Sequence, residues 1–149
     1  MDEQAARTLA QAVVADLAPQ ELPLFGPISR AWFANPDRVR DGPATDDTLG
    51  FGVAEAATIL TPVILAVATR VVAVLAEDFS QSMINITANE IAERIKNLLH
   101  HKTPRVVLSK AQLALVRQAV QQTAKERKLP GAEAEKLARS IAAHLTEKA

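Results

Sequence analysis

The chain has 149 residues, 48% of them hydrophobic and 23% charged, with 17 basic and 17 acidic side chains and no net charge. That length suffices for one helical domain with its own core, residues 1–149, and the balance excludes a disordered or collagenous chain. The absence of cysteine excludes disulfides, thiolate nucleophiles and cysteine-based zinc sites together.

Alanine is abundant, at 28 residues, whereas the aromatics reduce to four phenylalanines and one tryptophan, with no tyrosine. Alanine has the best helix propensity and lets helices approach closely, while strands favour aromatic and β-branched residues. The expected class is therefore all-α. The first residues carry two acids and no basic n-region, so a cleaved secretory signal is not expected. Charge is unevenly placed: residues 1–55 hold nine acids and four bases, a balance of −5, and residues 56–149 reverse it to +5.

In chain order, residues 3–17 read as a helix, with Asp2 as N-cap and Ala6, Leu9, Ala10, Val13 and Leu17 on one stripe. Residues 18–47 follow as a proline-rich connection holding Pro19, Pro23, Pro27, Pro36 and Pro43. Its apolar content (Leu22, Leu24, Phe25, Ile28, Trp32 and Phe33) predicts that it lies ordered on the bundle, with one short helical turn near 29–34.

Residues 48–100 form a long apolar and then amphipathic helical region, capped by Asp46 or Asp47. Pro62 inside it predicts either a kink or a break between two helices. Beyond Pro62, the motif from Thr87 to Glu90 matches a capping box and offers a second helix start. Without a break there, residues 62–100 would make a rod of about 60 Å, too long for a compact domain of this size and in need of a partner.

The next start is unambiguous: Ser109 and Gln112 form a capping box, with Leu108 and Leu113 as a hydrophobic staple. Residues 109–147 then read as a helical hairpin turned at Leu129, Pro130 and Gly131. Its inward stripes are Leu113, Val116, Val120 and Ala124 in the first helix and Leu137, Ile141 and Leu145 in the second. The expected architecture is a helical bundle with a long central apolar helix, kinked or broken at Pro62, and a C-terminal αα-hairpin.

Three environments compete for residues 49–76: a protein core, an oligomer interface and a membrane. Only fourteen uncharged residues separate Glu55 from Arg70, a length more typical of a buried helix than of a span. On an insertion scale the apolar side chains of residues 57–76 contribute about −4.5 kcal/mol, and Arg70 near the middle opposes them by about 3 kcal/mol. Pro62 and the threonines offset much of the rest. In favour of lipid stand the asymmetric charge flanks and the small-residue stripe Ala66, Thr69, Ala73 and Ala76, although that stripe suits a water-soluble bundle equally well. Protein burial is therefore the preferred reading, and rod length tilts it toward an interface.

No catalytic pattern rises above background. The three histidines, His100, His101 and His144, give no converging metal set, and adjacent residues on a helix point in different directions. No serine lies in a nucleophile elbow, and the glycines at 50 and 52 lack the rest of a dinucleotide fingerprint. Glu90 and Glu93 have no accompanying histidine motif of the di-iron kind. No cofactor, metal or small-molecule substrate is inferred.

The expected function is that of a non-enzymatic module that self-associates or docks on a protein. Trp32, Phe33, Ala66, Thr69, Ala73, Phe79, Met83 and Ile86 are its candidate interface residues. The expected location is cytoplasmic; the alternative is a membrane-associated protein, peripheral to the inner membrane or inserting residues 49–76 into it, as a monomer or an oligomer. In that case Arg94, Lys96, Lys102, Arg105 and Lys110 would contact headgroups. Nucleic acid is disfavoured, because the chain is neutral and no aromatic interleaves with that basic cluster.

Overall fold

The computed structural model describes residues 3–34, 60–82, 85–100 and 107–146, and among them all regular structure is helical. The described residues include six α-helices: α1 (Glu3–Leu17), α2 (Leu22–Ala34), α3 (Thr61–Ser82), α4 (Ala88–His100), α5 (Lys110–Glu126) and α6 (Gly131–Thr146). A 3-10 turn, Pro19–Glu21, joins α1 to α2.

Helices α1, α3, α5 and α6 form a closed ring in which each packs on the next, and α2 and α4 lie against α3 and α1. The core follows from the apolar spacing. In α1, Ala6, Leu9, Ala10 and Val13 are buried as the periodicity predicts, joined by Ala5 and Val14. In α3, Ile64, Leu65, Val67, Ala68, Val71, Val72 and Leu75 are almost wholly covered by the chain's own helices. The C-terminal stripes are also buried, with Leu113 half-buried at their edge.

The proline-rich connection departs from expectation. Instead of one turn near 29–34, thirteen residues from Leu22 to Ala34 are helical and include Pro23 and Pro27. Pro23 stands in the first turn, where an amide hydrogen has no intrahelical acceptor to lose. Gly26 precedes Pro27 and lacks the Cβ that a proline ring presses against. Phe25, Ile28, Ser29 and Trp32 then fall at helical spacing and are buried, so packing draws the segment into a helix.

The described part of the apolar region begins as a helix at Thr61. The Leu60 carbonyl accepts the first helical bond, from Ile64 N–H at 2.9 Å. Pro62 therefore occupies the first turn, where its missing donor costs nothing. Residues 35–59, including the Asp46 or Asp47 cap and Glu55, lie outside the described residues, as do Asp2 and Met83.

Residues 62–100 are two helices. α3 ends at Ser82, Asn85 takes a left-handed conformation with φ 63°, and α4 restarts at Ala88. The Thr87 capping box is complete: Glu90 N–H donates to Thr87 Oγ1 at 3.1 Å, and Thr87 N–H donates to Glu90 Oε1 at 3.0 Å. The latter bond, before the hydroxyl contact and Arg94, lowers the Glu90 pKa below its ordinary value. The break removes the 60 Å rod, and with it the argument from length for a partner.

α5 opens on the anticipated Ser109–Gln112 box and closes in a Schellman motif, in which Leu129 N–H reaches the Ala124 carbonyl and Lys128 N–H that of Lys125. The connection to α6 is short, and the two helices pack together as a hairpin.

Candidate functional site

Several side chains singled out as interface candidates belong to the interior. Trp32 is 7% exposed, Ala66 9% and Phe79 2%, so they offer almost no surface to another molecule. Trp32 and Phe33 meet edge to face at 5.1 Å, and the Arg7 guanidinium of α1 lies 5.1 Å over the Phe33 ring. Arg7 is in turn paired with Glu3 at 2.8 Å. These contacts staple α2 to α1, and Trp32, Ala66 and Phe79 are covered by the chain's own helices.

Thr69, Ala73 and Ile86 are half-buried and remain at the surface. Thr69 spends its hydroxyl on the Leu65 carbonyl at 2.8 Å. Of the basic cluster, the Arg94 guanidinium lies 5.9 Å from the Phe79 ring centre, Lys96 and Lys110 are exposed, and Lys102 and Arg105 fall outside the described residues.

What it does form is a groove of about 280 Å3 between α3 and α5, open to solvent. Arg70, Ala73, Val74, Glu77 and Gln81 line it from α3, at spacings that make one continuous stripe on the helix, and Asp78 flanks them. Leu115 lines it from α5 and is 38% exposed, one of two large hydrophobic side chains so exposed among the described residues.

The α5 capping box helps build this groove. Gln112 accepts from Ser109 N–H at 2.9 Å through Oε1 and donates from Nε2 to Asp78 Oδ2 at 2.7 Å. One amide thus caps α5 and ties it to α3. Asp78 is engaged by that bond, whereas Arg70 and Glu77 are exposed and make no ion pair among the described residues.

Ala73 is the residue that sequence and structure share. Arg70 had figured only as an obstacle to insertion, and Glu77 and Asp78 belonged to no motif. Leu115 carried no local signal, because its place beside α3 depends on the packing register of two distant segments.

No group of three or more His, Asp or Glu residues that could hold a metal occurs among the described residues. His100 is an exposed helix end and His144 half-buried in α6, while His101 lies outside the described residues. No described helix is long and apolar enough to cross a membrane. No protein-family model matches the chain, and no curated protein or solved structure is significantly similar to it.

Proposed function

We propose that the chain is a non-enzymatic helical interaction module that docks on protein through the α3–α5 groove. One observation carries this reading: small and apolar surface at Ala73, Val74 and Leu115 is framed by the unpaired charges of Arg70 and Glu77. An apolar centre with a polar, charged rim is the usual anatomy of a protein–protein contact. Ala73 at the centre would let a partner's backbone approach closely.

The membrane reading has lost much of its support, since the apolar side chains of α3 are occupied by α1, α2, α4 and α5.

Photo-cross-linking in cells that naturally express the chain tests the proposal. A photoreactive amino acid in place of Val74 is expected to give protein adducts, and the same residue in place of exposed Lys125, away from the groove, is not. Equal yields at both positions, or none at Val74, would overturn the assignment.

A further inference from the structure

The groove is self-complementary. Arg70 and Glu77 lie seven residues apart on one face of α3, about 10 Å along the axis, with Ala73 and Val74 midway between them. A two-fold axis through that midpoint places α3 of one molecule antiparallel to α3 of another. Arg70 of each then faces Glu77 of the other, and Gln81 faces the end of the stripe near Ala66.

Resting on the docking role proposed above, we infer that the groove's partner is a second copy of this chain, bound antiparallel and isologously through reciprocal Arg70–Glu77 pairs. Three features converge on it. The two charges are opposite, exposed and without ion-pair partners among the described residues. Asp78, which would otherwise add a second negative charge beside Glu77, is held by Gln112. Ala73 and Val74 flank the axis, so that the alanine of each copy faces the valine of the other and two helices can approach closely, and Leu115 adds apolar area on both flanks.

A two-fold contact repeats every interaction, so each weak rim pair counts twice. Rim pairs set register and specificity more than affinity, and salt screens them. A single helix pair flanked by one leucine on each side covers less than a standard interface. The dimer is accordingly weak, dilution-sensitive and loosened by salt.

Charge exchange tests the inference, with dissociation constants measured by sedimentation equilibrium of the full chain. In Arg70→Glu every pair becomes acid against acid, and in Glu77→Arg base against base. Each single variant should weaken self-association at least about tenfold, because two contacts turn from attractive to repulsive. Mixing the two variants restores opposite charges at both contacts, and so does the double variant within one chain. Both should return to within about threefold of wild type, the spread expected for rim pairs in altered surroundings.

Both substitutions are at exposed positions, and circular dichroism will register any loss of fold. A wild-type chain that stays monomeric at millimolar concentration would overturn the inference. So would single variants that associate like wild type, or a mixture no tighter than its components. Adducts at Val74 containing only a different protein would reject the self-pairing and leave the docking role standing. The absence of adducts would reject the docking role itself.

Discussion

Glu21 shows how much one side chain can organise. It sits in the 3-10 turn after α1 and is 5% exposed, yet its carboxylate bonds residues about forty positions away. Leu60 N–H donates to both carboxylate oxygens at 3.0 Å, Thr61 N–H to Oε1 at 2.8 Å and Thr61 Oγ1 to Oε1 at 2.6 Å. The carboxylate therefore caps α3 from a distant element, at the end where free amides and the helix dipole favour negative charge. It fixes where α3 begins as well as how that end meets α1. Glu21→Ala should destabilise the chain by about 2–4 kcal/mol, because the buried Thr61 hydroxyl and amide lose their acceptor. Glu21→Gln retains an acceptor oxygen and should cost less. Urea titration monitored by circular dichroism measures both. A Glu21→Ala loss below about 0.5 kcal/mol, the size of a neutral surface change, would mean that water replaces the carboxylate without penalty. Nothing in the sequence around Glu21 signals this role, since its partners are set by tertiary contact.

At the scale of elements, legibility tracks locality. α5 and α6 could be read directly because a capping box, apolar stripes at spacings of three and four and a proline–glycine turn are all encoded within a few residues. The α4 start was visible in Thr87 and Glu90 for the same reason. Whether α3 ran on into α4 was not, because an amphipathic pattern can continue across a break that only Asn85's left-handed backbone reveals. α2 was underestimated because the cost of a proline depends on its position in the helix, which its spacing from neighbours does not disclose. The groove was legible only in part. Ala73 belongs to a small-residue stripe, but Leu115 and the Gln112–Asp78 bond join segments more than thirty residues apart. The end of α5 also carries a local mismatch: Lys128 occupies the left-handed C′ position, φ 58°, that glycine usually fills. Relief of that strain, offset by glycine's greater freedom in the unfolded chain, should make Lys128→Gly more stable by about 0.5–1 kcal/mol. A rise in thermal midpoint with an unchanged helical signal is the expected result, and a fall would show that Lys128 holds contacts worth more than the strain.

At the scale of the molecule, the apolar region that dominates the sequence becomes, over residues 61–82, the helix on which α1, α2, α4 and α5 pack. Its two flanks divide the work. One buries Ile64, Leu65, Val67, Ala68, Val71, Val72 and Leu75, and the other exposes Arg70 and Glu77 beside the half-buried Ala73 and Val74. A helix so arranged holds the bundle together and leaves the face proposed for docking at the surface. Lipid would demand the opposite distribution, with the apolar flank outward and the charges withdrawn. Native-state hydrogen exchange in detergent-free buffer distinguishes these arrangements most directly. The amides of Leu65–Leu75 should be among the slowest in the chain and exchange only through global unfolding, as those of a central core helix do. Rapid exchange across those residues in dilute buffer, slowed only when detergent or lipid vesicles are added, would contradict the account.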